Sequence, residues 1–423
     1  MKYIKKENEN YNLHVIQTDR FKTITVKVNL KRPLIKEEIT KRNLLVNALL
    51  EGTENYPSKR LLEIKTEELY DLGYRGINYA SGKFTMLSFE MTFINPKYTE
   101  LGIEEESFRF LEEFIFHPNV ENGAIASKNF NIAYNIMEDY LTTLNENTST
   151  YSQMRMLEEM DNSIISYRSA GYLEDLKKIN AKDLYEYYLD IINNDTVDIF
   201  VIGDIEEKKI VDLVNKYLPF KTNKKSNESH FYNHEYVTDE IKFTSEKVDK
   251  NQSKLVLGFK MEELTDFEKR YVLSVYNYIL GGGTESNLFQ TIREKYSLCY
   301  YITSMSLPLL SVSIIKAGIN AIDYEETLSL INQELNKMKQ GEFEESKIEN
   351  AKTTYINGLT ELEDNPDNII SLYAGIEYLG ADDIENRKKN IMKVTKEDVV
   401  NLAFKIHLNT IYLLEGSDEY EEE

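Results

Sequence analysis

The chain has 423 residues, more than one domain usually holds, which predicts two domains of about 200 residues each. Its 72 acidic and 50 basic residues give a net charge of −22, and so acidic a surface repels phosphate backbones, which argues against nucleic acid as a partner. A single cysteine, Cys299, excludes a disulfide within the chain and favours a reducing compartment. The N-terminus lacks the apolar region of a secretory signal, and no apolar run approaches the roughly 20 residues that span a bilayer. We therefore expect a cytoplasmic protein without a membrane partner.

The first half of the chain is predicted to alternate short strands with longer helices. Residues 22–30 place apolar and polar side chains in alternation, which is typical of a half-buried strand. Gly52 and Gly73 stand where the next two helices end, as C-terminal caps do. The predicted elements are a strand at 22–30, helices at 36–51 and 58–72, strands at 77–81 and 84–93, helices at 104–116 and 122–145, a capped helix from Asn180 and a strand at 197–203.

The second half repeats this order of elements. Three consecutive glycines end its first helix, and a further helix runs through Arg293. The predicted elements are a strand at 254–261, a helix at 265–280, strands at 299–305 and 310–318, helices at 323–339 and 343–360, a capped helix from Thr395 and a strand at 410–416.

Three pairs of local strings support a duplication. They are LLEGTENYPSKRLLEI (49–64) with ILGGGTESNLFQTI (279–292), INAKDLYEYY (179–188) with VTKEDVVNLA (394–403), and VDIFVIGDIE (197–206) with TIYLLEGSDE (410–419). The sequence therefore predicts an α+β fold of two homologous domains, each a mainly antiparallel sheet with helices packed on one face. We expect an N-terminal domain at 1–220, a polar linker at 221–238, a C-terminal domain at 239–423 and, within the latter, a disordered acidic tail.

The string LGGGTESNLFQTIREKYSLCYYITS (280–304) carries a resemblance to a known family. A Gly-rich turn, a short polar run, Leu-Phe, an Arg-Glu-Lys triplet and Leu-x-Tyr entering a strand are similar to the C-terminal-domain signature of the pitrilysin-like zinc peptidases. This family includes insulinase and the mitochondrial processing peptidase. The resemblance covers nearly the whole chain and implies the two-domain fold predicted above.

In the family, an arginine and a tyrosine seven residues apart hold the substrate, and here they correspond to Arg293 and Tyr300. A guanidinium donates charge-assisted hydrogen bonds to a peptide carbonyl, and a phenol adds another donor. Both would stabilise the charge that develops on a tetrahedral intermediate. The alternative is a surface arginine at a helix end and a tyrosine packed in the sheet.

The glycines Gly281, Gly282 and Gly283 are predicted to form a loop that a peptide backbone can approach closely. They do not form a phosphate-binding loop, because no Gly-Lys-Ser/Thr follows them. A helix C-terminal cap is the alternative, and both roles are compatible.

The N-terminal half departs from the family at the zinc motif. Active members carry His-x-x-Glu-His on the first helix, shortly before Gly-Thr and Pro-Ser. Those landmarks are kept as Gly52-Thr53 and Pro57-Ser58, and the motif itself falls on residues 43–47 with the sequence Asn-Leu-Leu-Val-Asn.

Asn43 and Asn47 thus replace the two imidazoles, and Val46 replaces the general base. Carboxamides are poor zinc ligands, and loss of the base alone lowers the rate by about 10²–10⁴. The third ligand of the family, a glutamate, falls near Asn135, with Glu138 one turn away. We expect no metal and no catalytic residue in this chain.

The remaining metal and nucleophile candidates are weak. The five histidines are His14, His117, His230, His234 and His407. Only His230 and His234 have the i,i+4 spacing of a helical zinc site, next to Glu235, and they fall in the predicted linker, where solvated side chains are expected. Cys299 is predicted to be a buried strand residue rather than a nucleophile.

The resemblance implies a function shared with a second chain. Some enzymes of the family are heterodimers in which one subunit carries zinc and base, while the other supplies the Arg/Tyr pair and the glycine loop across a closed chamber. We expect a non-catalytic, substrate-binding subunit that binds unfolded peptides as added strands, with zinc in a homologous partner subunit. The alternatives are a non-proteolytic structural or binding protein of the same fold, and an independent enzyme with an unrecognised site; a homodimer is also compatible with the sequence.

Overall fold

The computed structural model describes residues 1–221, 228–234 and 240–417. Glu235, most of the predicted linker and the acidic tail from residue 418 lie outside the described residues. The chain forms two compact units; the first comprises Met1–Thr143, Arg168–Glu228 and Asn365–Leu372, and the second comprises Leu144–Tyr167, Ser229–Asp364 and Tyr373–Glu423. The domain boundaries expected near residues 220 and 239 stay a prediction.

The first unit contains a six-stranded mixed sheet. Its strands are β1 (Lys2–Glu7), β2 (Asn12–Gln17), β3 (Thr23–Pro33), β4 (Gly73–Ser81), β5 (Phe84–Ile94) and β8 (Thr196–Gly203), while β6 (Val120–Glu121) and β7 (Ala124–Ile125) form a separate short hairpin. The strand order is β4-β5-β3-β8-β2-β1, and every pairing is antiparallel except that of β2 with β8.

Helix α1 lies at the centre of the helix layer of the first unit, where several of the other helices pack around it. They are α1 (Lys36–Leu49), α2 (Lys59–Glu68), α3 (Ile103–Phe116), α4 (Ser127–Thr142), α6 (Leu173–Leu176), α7 (Ala181–Asn194) and α8 (Glu207–Tyr217). Helix α1 packs against α4, α6 and α7 as well as against the edge strand β4. This places the residues of the former zinc motif between a helix layer and an open sheet edge.

The second unit repeats the sheet without a counterpart of β1. Its strands are β9 (Lys242–Lys247), β10 (Ser253–Met261), β11 (Cys299–Leu307), β12 (Val312–Ile319) and β13 (Ile406–Glu415). The order β11-β12-β10-β13-β9 follows the order of the first sheet strand for strand, and β13 with β9 is again the one parallel pair in it. The predicted α+β fold of two homologous domains is therefore confirmed.

Helices cover both faces of the second sheet. Those of this unit are α5 (Thr148–Met160), α9 (Leu273–Gly281), α10 (Tyr324–Gln340), α11 (Glu345–Leu362), α13 (Ile384–Ile391) and α14 (Lys396–Phe404), and α12 (Pro366–Leu379) starts among residues of the first unit and ends in the second. The larger core lies under α9, α10, α11 and α14. Helix α5 packs on the opposite face, where Met156 and Met160 contact Val256 and Tyr412. The prediction of helices on one face thus describes the main layer and omits this helix.

Several elements differ from the sequence-based prediction. The alternation of β3 is confirmed, but the strand is buried on both faces, since Thr25 and Asn29 on its polar side are also buried. The helix expected at 122–145 starts only at Ser127, because the hairpin of β6 and β7 precedes it. Strands β1, β2 and β9 and helices α5, α8, α12 and α13 were not predicted. None of the described helices combines the length and apolar character needed to cross a membrane.

Candidate functional site

Helix α1 is anchored by a buried arginine immediately before the former zinc motif. Arg42 is fully buried, and its Nη2 donates to the Leu30 carbonyl at 2.6 Å and to Asp195 Oδ2 at 2.7 Å. Asp195 also accepts from Arg32 Nε at 2.6 Å. Each guanidinium donates to a different oxygen of the buried carboxylate, so removing either leaves one oxygen without its charge-assisted hydrogen bond, and the position is structural.

Asn43, at the first former ligand position, makes hydrogen bonds through both the nitrogen and the oxygen of its side-chain amide. Its Nδ2 donates to the Ser169 carbonyl at 2.8 Å, and its Oδ1 accepts from Asn78 Nδ2 at 2.8 Å. Asn78 lies on β4, and its own Oδ1 accepts from Arg42 Nε at 3.1 Å and from Thr85 Oγ1 at 2.9 Å. The amide at position 43 therefore ties α1 to the edge strand instead of facing a metal.

Val46 takes the place of the general base and packs against the same strand. It is buried, and a Cβ built on Gly76 of β4 would lie 2.7 Å from Val46 Cγ2. The Val46 side chain therefore packs where a Gly76 side chain would otherwise stand, against the backbone of β4. Asn47, at the second former ligand position, is partly buried on the same helix.

The third former ligand position lies on α4, which packs against α1. Asn135 is exposed there and Glu138 is partly buried. Within the described ranges, no group of three or more histidine, cysteine, aspartate or glutamate side chains is arranged to hold a metal ion. The residues at the former zinc position do not fit zinc, because carboxamides stand at both ligand positions, Asn43 and Asn47, and the amide of Asn43 is already hydrogen-bonded.

The Gly-Thr and Pro-Ser landmarks are kept for a packing reason. A Cβ on Gly52 would lie 2.6 Å from Asn129 Nδ2 and 2.7 Å from the Pro57 carbonyl carbon. Thr53 is fully buried, and its Oγ1 accepts from the Tyr56 amide at 3.2 Å. Close backbone contacts of this kind need glycine whether or not a metal is bound.

The three glycines of the second unit have different surroundings. A Cβ on Gly281, the last residue of α9, would lie 2.5 Å from the Ser304 amide nitrogen of β11. A Cβ on Gly282 would lie 2.7 Å from Tyr278 Cα, whereas nothing stands within 4 Å of one on Gly283. Gly281 therefore allows α9 to lie close to β11, Gly282 is the cap residue of α9, and Gly282 and Gly283 are both exposed.

Arg293 lies in a helical segment with π-type hydrogen bonding, Phe289–Lys295, and its side chain is 44% exposed. Its guanidinium lies over the Phe289 ring, 4.9 Å from the centroid, and its Nε is 4.0 Å from the exposed carboxylate of Glu294. Neither contact uses the directional donors of the guanidinium fork. Arg293 thus presents hydrogen-bond donors to solvent.

Tyr300 is the extra residue of a β-bulge. In the pairing of β11 with β12, Cys299 lies opposite Ile319 and Tyr301 lies opposite Gly318, so Tyr300 has no partner residue. A bulge redirects the side chain of the extra residue, and Tyr300 is 57% exposed on the edge strand of its sheet. The alternative of a tyrosine packed in the sheet is therefore wrong for this residue.

Cys299, between these two residues, is buried. Burial raises the pKa of its thiol to about 11, although the nearby charge of Arg293 acts in the opposite direction. A protonated, buried thiol is a poor nucleophile, which agrees with the prediction. The opposing effect of Arg293 also indicates that its guanidinium lies near the start of β11.

The histidine pair of the predicted linker belongs to the second unit and does not form a helical pair. His230 is 2% exposed and its ring stacks on Tyr378 with centroids 5.4 Å apart. His234 Nε2 is 2.9 Å from the Ser311 carbonyl, and burial lowers the pKa of His234. The expectation of solvated histidines is wrong here, because both rings pack on folded elements.

The sequence did not indicate the Arg42–Asp195 pair, Asn78 or the bulge at Tyr300. Arg42, Asn78 and Asp195 come together from positions far apart in the chain, so no local motif marks them. The run Leu-Cys-Tyr-Tyr-Ile contains no glycine or proline that would signal a bulge. The only usable signal was the spacing of Arg293 and Tyr300 within the family-like string.

The two sheets, the helix over the first sheet edge and the altered residues on it are typical of a metallopeptidase-like protein, and its described residues include no metal-ligand cluster. A sequence model described as "Peptidase M16 inactive domain" matches residues 178–355. A curated relative, the "Probable inactive metalloprotease YmfF" of Bacillus subtilis (strain 168), is 29% identical over 420 residues, which is 98% of each chain.

Solved structures agree with these matches. A conserved protein of Enterococcus faecalis V583 superposes with a TM-score of 0.93 at 28% identity, covering 99% of this chain and 100% of its own. A structure described as a peptidase M16 inactive domain, from Pseudomonas fluorescens, has a TM-score of 0.79 at 14% identity and covers 99% of both chains, which shows a shared fold. The chain is thus similar to inactive, metalloprotease-like members of the M16 peptidase family, and the resemblance to pitrilysin-like peptidases is confirmed.

Proposed function

We propose that this protein is the non-catalytic, substrate-binding subunit of a heterodimeric zinc endopeptidase that acts on unfolded peptides. Its partner is a homologous chain that carries the complete zinc motif and supplies the metal and the general base. The role of this chain is to bind the peptide and to orient its scissile carbonyl, and it has no cleavage activity of its own.

The observation that carries the proposal is the position of Tyr300. A bulge turns this side chain out of the edge strand β11, next to the helical segment that presents Arg293. The exposure of Tyr300 beside Arg293 leaves hydrogen-bond donors of both side chains available to one ligand, which favours a binding role. An edge strand with free backbone groups also offers an extended peptide main-chain hydrogen bonds.

The altered zinc motif also supports a non-catalytic role for this chain. The side chains of Asn43 and Val46 are used in hydrogen bonding and packing, so the first unit keeps its fold without keeping the chemistry. A chain that presents donors for a carbonyl but has amides and a valine where the zinc ligands and the base would stand needs a second chain for catalysis.

The test is reconstitution with a relative from the same genome that carries His-x-x-Glu-His. Each chain is purified alone and then mixed at equal concentration with an unstructured fluorogenic peptide. We expect no zinc-dependent cleavage by this chain alone and cleavage by the mixture. Cleavage at ordinary turnover by this chain alone would refute the proposal.

Point variants of this chain then connect the activity to the two residues. Arg293→Ala and Tyr300→Phe in the mixture should lower kcat/KM, the former by about 10²–10³, as removal of a transition-state donor does. Lys295→Ala and Tyr296→Phe are the matched controls, since both are exposed residues of the same stretch, and they should leave kcat/KM unchanged. If all four variants behave alike, the Arg/Tyr pair has no special role.

A complex that forms with the partner but never cleaves peptides would instead favour the non-proteolytic binding protein. That outcome is separated from a failed pairing by size-exclusion chromatography, which reports whether this chain is monomeric, homodimeric or bound to the partner.

A further inference from the structure

A second polar site lies in the second unit, within a cavity of about 220 Å³. Its walls are built by the helical turn at 268–272, which precedes α9, by the turn after β11 and by helix α11. The segment from the end of α12 into α13 and Phe231 complete them. The residues that matter for its chemistry are three aromatic side chains, Phe231, Tyr271 and Tyr355, and three cations, Lys269, Arg270 and Arg387. Within the described residues this concentration of positive charge stands out, since the whole chain carries −22.

The one carboxylate of the cavity, Asp382, is ionised but leaves the three cations in excess. Asp382 accepts hydrogen bonds from the Tyr271 hydroxyl and from Asn390 Nδ2, the latter at 2.8 Å. The bond from Tyr271, with the charges of Arg270 and Arg387, holds the pKa of Asp382 below its usual value. Burial and the hydrogen bond with the same carboxylate raise the pKa of Tyr271 to about 12, so the phenol stays protonated.

The two guanidiniums keep most of their donors. Arg270 Nη2 donates to the Leu379 carbonyl at 3.0 Å, and Arg387 Nε donates to the Asp382 carbonyl at 2.7 Å. Arg270 Nη2 also lies 3.6 Å from Asp266 Oδ2, but the side chain of Asp266 is 75% exposed. Each guanidinium has five N–H donors, so both retain hydrogen-bonding capacity towards an anion.

The aromatic residues give the rest of the cavity an apolar character. Tyr271 is buried and Tyr355 packs at its ring edge, with centroids 6.3 Å apart. Phe231 lies under the ammonium group of Lys269, 4.8 Å from the ring centroid. Leu309 and Leu379 complete this lining. A ligand that fits must therefore combine an anionic end with an apolar body, and the cavity has room for about one large amino-acid residue.

We infer that this cavity binds the carboxylate of a ligand with an apolar body, with the carboxylate between Arg270 and Arg387 and the body against the aromatic rings. Arginine is suited to carboxylates because its planar fork donates two parallel hydrogen bonds. The same chemistry has two sources, the C-terminal residue of a peptide and a free aromatic acid. The site does not depend on the peptidase proposal, since it uses neither Arg293 nor Tyr300.

The test is calorimetric titration of the full chain with N-acetylphenylalanine and with its C-terminal amide. We expect saturable binding of the free acid with a Kd below about 1 mM and at least tenfold weaker binding of the amide. A short peptide ending in free phenylalanine and the small acid 3-phenylpropionate then distinguish the two sources by which binds more tightly. Equal binding of acid and amide, or inorganic phosphate binding as tightly as the acid, would overturn the inference.

Variants locate the bound probe. Arg387→Gln should weaken binding of N-acetylphenylalanine by about 10- to 100-fold, the usual loss for a charge-assisted hydrogen bond. Lys389→Gln, an exposed cation of the same helix that does not line the cavity, makes the same change of charge and should have no effect. Equal losses in both variants would show general electrostatic attraction and refute the site.

A second variant covers the case in which Arg387→Gln unfolds the chain. Ala381→Phe fills the cavity and keeps all its charges, so it should abolish binding while circular dichroism and the melting temperature stay close to those of the unchanged chain. Retained affinity in this folded variant would place the ligand elsewhere.

Discussion

Helix α1 of the first unit and the stretch 289–300 of the second unit differ in how far the rest of the fold holds their side chains. On α1, Arg42, Asn43 and Val46 are held by hydrogen bonds or close packing to other elements. In the second stretch, Arg293 and Tyr300 extend into solvent without directional partners among the described residues. The residues at the zinc-motif positions are part of the fold, while the proposed substrate-binding pair is separate from it.

This difference has a thermodynamic consequence. A side chain that the fold uses should cost stability when it is removed, and a side chain that only a ligand uses should not. Measurements of the free energy of unfolding can therefore test the comparison without any knowledge of the substrate.

The largest loss is expected for Arg42→Met. The change leaves the buried carboxylate of Asp195 with one guanidinium instead of two, which should lower the free energy of unfolding by about 3 kcal/mol. Urea titration followed by circular dichroism measures it. Arg60→Met, on the exposed side of α2, is the control and should change stability by less than about 0.5 kcal/mol. Equal losses would contradict the structural role of Arg42.

The glycine triplet offers a comparison inside the second unit. Gly281→Ala places a Cβ 2.5 Å from the Ser304 amide nitrogen, so backbone must shift and we expect a loss of about 1–3 kcal/mol. Gly283→Ala meets no atom within 4 Å and should be neutral or raise stability by up to about 1 kcal/mol, because alanine restricts the unfolded chain. The same urea titration compares them, and a large loss in Gly283→Ala would assign it a structural role too.

The sequence predicted the elements that depend on local patterns. Asn180 caps α7 as expected, and Thr395 forms a capping box with Asp398 at the start of α14. The alternation of β3 marked a strand because side-chain direction follows the local backbone. Caps and periodicity need only neighbouring residues, which is why they could be predicted.

The missed elements depend on distant partners. Strand β2 pairs in parallel with β8, so Asn12 meets Asp198 from the other end of the unit, and its short apolar run carries no signal of that partner. Helix α5 finds room on the second sheet because Met156 packs where Gly258 has no side chain. The candidate site was predictable only in part. The family-like string located Arg293 and Tyr300, but the bulge that exposes Tyr300 depends on the pairing of β11 with β12.

A smaller loss is expected for Asn43→Ala. It removes two hydrogen bonds, to the Ser169 carbonyl and from Asn78, and should lower the free energy of unfolding by about 1–2 kcal/mol. Asn135→Ala on exposed helix surface is the matched amide control and should be neutral or slightly stabilising, since alanine favours the helix. If Asn43→Ala proves neutral, the amide bridge from α1 to β4 is not important for stability.

The smallest change is expected for Arg293→Ala and Tyr300→Phe. Arg293 loses only its contact with the Phe289 ring, worth about 0.5–1 kcal/mol at an exposed site, and Tyr300→Phe removes a hydroxyl that stands in solvent. Both variants should therefore unfold at nearly the same urea concentration as the unchanged chain. If these variants also lose activity in the reconstituted complex, the loss comes from substrate binding, because the fold itself is unaffected. A loss of stability as large as that of Asn43→Ala would instead show that the pair belongs to the fold, and the contrast between the two regions would disappear.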